Sequence, residues 1–144
     1  VDHSVKESID DHNITHLVEY TGNVIRKEAL NQIFSSKLLL LLLNQQPNAM
    51  GRVPGKLFEY LAAKRPILNF GPNNSDVAKL LDRANAGINF QYEDKEGIKS
   101  YLKTNYELFK SGNLDENVDS KIDEYTHQNL TQRIASYLDQ ITSK

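Results

Sequence analysis

Gly55, Lys56 and Glu59 fall within the five residues 55–59, directly after a long polar loop over residues 44–54. A polar loop that feeds a helix start is a natural anion site, because the first helical N–H groups lack internal partners and the dipole favours negative charge there. Glycine at position 55 lets the backbone approach a phosphate closely, and Lys56 adds a mobile positive charge. Glu59 comes one turn in, where its carboxylate can accept from two neighbouring hydroxyls such as the cis-diol of a ribose. Arg52, in the loop, has the planar fork that suits a phosphate or a sugar carboxylate. Each of these three charged side chains also reads as an ordinary solvated surface residue when taken alone. Other chemistry lacks support. Ser35 and Ser36 have no nucleophile-elbow pattern around them, and neither a Gly-x-Gly-x-x-Gly nor a Walker pattern occurs. His3, His12, His16 and His127 show no metal-ligand spacing, so no metal site is expected.

The bulk properties narrow the class further. The chain has 144 residues, 39% apolar and 25% charged, with a formal net charge of −2. These values indicate a globular domain with room for a real core. They argue against a broad nucleic-acid footprint, which needs clustered positive charge. Without cysteine, disulfides and thiolate metal sites are excluded. This fits a reducing compartment, and a cytoplasmic location is the expectation. The longest apolar run, residues 38–43, is too short to span a bilayer. The opening residues carry no signal-peptide pattern. The chain starts at Val1 in a polar, helix-like stretch, so it is expected to be a piece of a longer protein.

The elements that must position residues 55–59 can be read from periodicity. Residues 4–13 are helix-compatible, and residues 16–20 are short and extended in character. Residues 26–35 carry Ala29, Leu30, Ile33 and Phe34 at helical spacing. The leucine run 38–43 is bounded by turn residues and reads as a strand buried on both faces; a buried helix segment is the other reading the pattern admits. Residues 55–63 form the next helix, 66–70 a strand, and 76–85 a helix capped by Ser75. Residues 87–92 are a further strand, and residues 95–110 a helix capped by Asp94. Residues 114–124 are acidic and weakly patterned. Leu130, Ile134, Tyr137, Leu138 and Ile141 form a helical stripe that reads as core packing. Strands alternating with helices imply an α/β fold, Rossmann-like and three-layered, with a short parallel sheet of about three to four strands. Ligands in such sheets bind beyond the carboxyl ends of the strands. That places the loop 44–54 at the site on topology alone.

The run Gly55-Lys56-Leu57-Phe58-Glu59-Tyr60-Leu61-Ala62-Ala63-Lys64-Arg65-Pro66-Ile67-Leu68 resembles the donor-site helix of GT-B glycosyltransferases. It resembles the large retaining family that builds bacterial capsules, lipopolysaccharide and related glycans. Tyr20-Thr21-Gly22-Asn23-Val24 followed by Glu28-Ala29-Leu30 is similar to the family's preceding strand, loop and helix. Gly71-Pro72 and Ala86-Gly87 also sit where the family has them. The resemblance covers roughly residues 14–110. It implies that residues 1–144 belong to the C-terminal, nucleotide-sugar-binding domain, with 111–144 as its helical extension, and that the parent moves a sugar from a nucleoside-diphosphate donor to a glycan or other acceptor. It implies that Glu59 binds the ribose, that the backbone N–H groups of Gly55, Lys56 and Leu57 hold the diphosphate, that Gly22, Asn23 and Val24 lie against the base, and that residues 48–53, including Gly51 and Arg52, face the donor sugar. No cofactor beyond the donor is implied, and no residue of the chain is given a catalytic role.

The departures are informative. Gly51 stands where the family's first paired glutamate would be, and Lys64 stands where a left-handed glycine is usual. The first two βα units of the family domain, with their phosphate-neutralising arginine and lysine, are missing, as is the acceptor-binding domain. The chain alone is therefore expected to be inactive. Residues 16–20 are expected to lack their usual neighbour strand, and an unpaired edge favours association with a second copy. In the family, the last helices cross back to the missing domain, so part of the stripe on residues 130–141 would be exposed. The parent carries no transmembrane segment on this reading and could bind a membrane only peripherally. Two rival readings stand beside it: a non-catalytic α/β interaction or regulatory domain that uses the 55–63 helix only for packing, and a non-hydrolysing nucleotide-sugar epimerase on the same two-domain plan.

Overall fold

Short, leucine- and isoleucine-rich segments bounded by turns supply three parallel strands, and the helices between them carry the chain back to the start of the next strand. The computed structural model describes residues 2–114 and 122–142. Its strands are β1 (Leu39–Leu42), β2 (Ile67–Phe70) and β3 (Gly87–Phe90), in the spatial order β1-β2-β3. Leu39 lies opposite Ile67, and Ile67 opposite Gly87. The helices are α1 (His3–Asp11), α2 (Arg26–Ser35), α3 (Lys56–Ala62), α4 (Asp76–Ala84), α5 (Lys95–Lys110) and α6 (His127–Thr142). The architecture is mixed α/β with a short open parallel sheet, compatible with a Rossmann-like fold.

The sheet's two faces are covered differently. Leu39, Leu41, Leu43 and Ile67 form one core with Leu57 and Leu61 of α3 and Val77, Leu81 and Ala84 of α4. Truncating a fully buried leucine of this cluster, such as Leu41 or Leu57, to alanine is expected to cost about 2–5 kcal/mol. On the other face Tyr101 of α5 meets Phe90 of β3 edge-on, with ring centroids 5.8 Å apart. Leu40 and Leu42 belong to that second face at the sheet edge and are 47% and 55% exposed. The expectation of a leucine strand buried on both faces is therefore corrected. β1 is an edge strand of the described sheet, and its outward leucines are left exposed.

The capping signals act as their residue types dictate. Ser75 accepts from the N–H of Ala78, and Asp94 from that of Gly97. Asn85 ends α4 in the left-handed conformation. Lys64, in the position where glycine is common, takes a φ of +53°.

Two further expectations are overturned. Residues 16–20 do not form a strand. A 3-10 turn over Thr15–Leu17 is closed by Leu17 and Val18 N–H donating to Ile14 and Thr15 carbonyls. Thr15 also donates to Asp10 Oδ1 at 2.8 Å, a local bond that competes with sheet pairing. Among the described residues no strand pairs with this segment, and Leu17 and Val18 take local partners instead. The α6 stripe is not core either: Ile134, Tyr137, Leu138 and Ile141 are 57–71% exposed, and only Leu130 at the helix start is half-buried. Of the acidic stretch 114–124, residues 115–121 lie outside the described residues, and Ile122–Tyr125 forms a 3-10 turn. Among the described residues no helix is long and apolar enough to cross a membrane.

Candidate functional site

α3 begins where the polar loop after β1 meets Pro54 and Gly55. Leu57 and Leu61 turn into the core, and this orients the opposite side of the helix outward. Phe58 and Glu59 stand on that outward side. Phe58 is 43% exposed, and the Glu59 side chain is 37% exposed. A cavity of about 600 Å³ opens here. One wall is Gly55, Phe58, Glu59 and Ala62 of α3. The other is Ile122, Tyr125, His127 and Leu130 from the turn and first residues of α6, and Arg26 closes one end. Such a volume suits a small organic ligand, and a largely apolar lining with a few convergent polar groups is the usual composition of such sites. A larger depression of about 650 Å³ runs along α6. It is carried by that helix and the turn before it, and holds none of the binding residues expected from the sequence.

The polar centre of the α3 cavity is an ion pair. Arg26 Nη2 donates to Glu59 Oε1 at 3.2 Å. Arg26 is the first residue of α2, immediately after the loop that holds Gly22, Asn23 and Val24. Gly22 turns this loop with a φ of +66°. The pair thus ties the 22–26 loop to α3 across 33 positions of sequence. Next along α3, Tyr60 has its hydroxyl pKa raised above the usual value, first by burial and then by the Glu59 charge.

The remaining residues singled out by sequence divide around this centre. Gly55 and Glu59 line the cavity; Lys56, Leu57, Gly51, Arg52, Gly22, Asn23 and Val24 are not among its lining residues. Lys56 and Arg52 are exposed and Leu57 is fully buried. The N–H of Leu57 donates to the Pro54 carbonyl at 3.0 Å, and that of Phe58 to Gly55 at 3.2 Å. Gly51 stands toward α4: the N–H of Asp76 holds the Met50 carbonyl at 2.8 Å, and a side chain at 51 would start 3.9 Å from Asp76 Oδ2.

Arg26, Phe58, Tyr125 and His127 line the cavity but are not among the site residues expected from the sequence. Arg26 carries no motif of its own, and its position after the Gly22 turn was the one available signal. Tyr125 and His127 lie just after the acidic, weakly patterned stretch, where periodicity is silent. Among the described residues there is no cluster of three or more His, Asp or Glu side chains that could hold a metal. No protein-family model, curated protein or solved structure matches this chain.

Proposed function

We propose that this chain is the donor-binding part of a glycosyltransferase with the GT-B plan, which moves a sugar from a nucleoside-diphosphate donor to a glycan or other acceptor with retention. The observation that carries the reading is the placement of Glu59. Its carboxylate stands at the mouth of a small-ligand cavity, on the helix that follows the first strand of a parallel sheet, with the exposed ring of Phe58 one residue away. A carboxylate so placed accepts from both hydroxyls of a ribose, and an aromatic face or apolar wall takes a base. The rate enhancement in this chemistry is electrostatic: fixed dipoles and cations stabilise charge developing on the departing diphosphate.

On this reading the chain supplies nucleotide contacts only. The acceptor-binding domain and the other phosphate contacts lie outside it, and the chain by itself is inactive. Its parent is cytoplasmic on this reading, and peripheral association with a membrane is compatible with it. The exposed stripe Ile134, Tyr137, Leu138 and Ile141 favours a second reading, a non-catalytic interaction domain that presents α6 to a partner.

Titration of UDP and GDP followed by NMR separates the two. The donor-site reading expects shifts at the amides of residues 55–59 and of Arg26, and a loss of affinity of about tenfold in Glu59→Ala. Absence of saturable binding for both nucleotides at millimolar concentration moves the assignment to the interaction domain.

A further inference from the structure

Arg26 is the one permanent cation among the described residues that line the α3 cavity. Lys56 lies outside that lining. The start of α3 offers little to an anion, since the helix has seven residues and the N–H of Leu57 is already held by Pro54. Among the described residues, a diphosphate entering this cavity therefore has one permanently charged side chain able to neutralise it. We propose that Arg26 is the phosphate-binding residue of the pocket, and that in the free chain Glu59 parks its guanidinium at the cavity mouth. The proposal rests on the reading of Glu59 as the acceptor for a ribose diol.

The geometry fits an exchange of partners. The contact between Arg26 and Glu59 is one hydrogen bond at 3.2 Å, not the two-pronged arrangement that makes arginine–carboxylate pairs strong. The Arg26 side chain is 82% exposed, so its long stem is free to swing while α2 fixes its backbone. An exposed pair of this kind is weak, and a ligand displaces it readily. A nucleoside diphosphate brings both replacement partners on one molecule. Its ribose hydroxyls take the carboxylate, and its phosphates, attached to the same ribose, offer the guanidinium a better anion. Each partner then gains more than it gives up, so the ion pair selects against a bare nucleoside, which would free Arg26 without giving it an anion.

The test compares uridine with UDP, and guanosine with GDP, on the whole chain as wild type, Arg26→Gln and Arg26→Lys, at low and high salt. In the wild type the diphosphate binds at least about tenfold tighter than its nucleoside. The difference collapses in Arg26→Gln, is partly retained in Arg26→Lys, and shrinks with salt in the wild type and in Arg26→Lys but not in Arg26→Gln. Nucleoside affinity in Arg26→Gln stays the same or rises, because Glu59 is released. An unchanged diphosphate-to-nucleoside ratio in Arg26→Gln overturns the proposal. So does an equal loss for nucleoside and diphosphate, which would mark Arg26 as a structural support. If the wild type binds neither nucleoside nor diphosphate, the donor-site reading itself has failed, an outcome distinct from both.

Discussion

Asn69 and Asn89 stand opposite one another on β2 and β3, and Asn69 Nδ2 donates to Asn89 Oδ1 at 2.6 Å. Asn69 is fully buried, and no described residue donates to its Oδ1. Asn89 passes the connection on, with Nδ2 donating to the Gly71 carbonyl at 3.2 Å and to Asn73 Oδ1 at 3.1 Å. The two amides thus pin the loop after β2. That loop presents Ser75 to cap α4, and the N–H of Asp76 to hold Met50 in the loop leading to α3.

Asn89→Ala strands the Asn69 amide in the core and releases the loop. A loss of about 1–3 kcal/mol in urea unfolding is expected, the usual cost of leaving a buried polar group unpaired. Asn69→Ala and Asn89→Ala remove the same bond, so the double variant should cost clearly less than the sum of the two singles. Additive losses would mean that the pair does not act as a unit.

The pairing explains where sequence reading reached its limit. The helices α2, α3, α4 and α5 were legible because caps and periodicity are local: Ser75 and Asp94 each bond a backbone N–H three residues on. The strands were legible as apolar runs between turns. Whether a strand has neighbours on both sides is not local, and Leu40 and Leu42 look the same in sequence as Leu39 and Leu41. The site divided in the same way. Glu59 was legible from its place on a helix after a polar loop. Arg26 was not, because its link to Glu59 spans 33 positions and exists only once α2 and α3 have folded.

Lys64 is a local strain that a single change should relieve. Its φ of +53° is left-handed, which costs a residue with a Cβ roughly 1–2 kcal/mol. Part of that gain is offset by the greater freedom of glycine in the unfolded chain. Lys64→Gly is therefore expected to stabilise the fold by about 0.5–1 kcal/mol, seen as a higher urea midpoint. Asn85, at φ +48°, is a residue type that tolerates this region, and Asn85→Gly should change stability much less.

Gly87 and Gly55 should respond oppositely to alanine. A Cβ at Gly87 would lie 2.0 Å from the Ile67 carbonyl oxygen and 2.8 Å from its carbon. Both are backbone atoms of the partner strand and cannot turn aside. Gly87→Ala is expected to cost about 3 kcal/mol or more, by forcing β2 and β3 apart. At Gly55 a Cβ would meet nothing within 4 Å, and its φ of −56° suits any residue. Gly55→Ala should leave stability within about 0.5 kcal/mol of wild type. Any change it makes to nucleotide affinity then reports on ligand approach alone. Comparable destabilisation by the two substitutions would contradict this assignment.

Tyr60 connects the candidate site to the stability of the fold at high pH. Burial raises its hydroxyl pKa, and the neighbouring Glu59 charge raises it further. Tyr101 is also raised, by burial, against a lowering contribution from Asn105. A tyrosine released on unfolding titrates near pH 10, at about its ordinary value. Because the folded value is higher, the unfolded chain gives up its proton first as pH rises. The stability these groups confer is fully present below about pH 10 and is lost as pH climbs through the folded value. Urea midpoints measured from about pH 8 to about pH 11 should therefore fall less steeply in Tyr60→Phe and Tyr101→Phe than in the wild type. Glu59→Gln removes the charge contribution and should bring the Tyr60 titration, followed by phenolate absorbance, toward its ordinary value. Tyr101 stays where it is in that variant. If Tyr60 does not move in Glu59→Gln, the Glu59 carboxylate is not acting on it, and burial alone sets its titration.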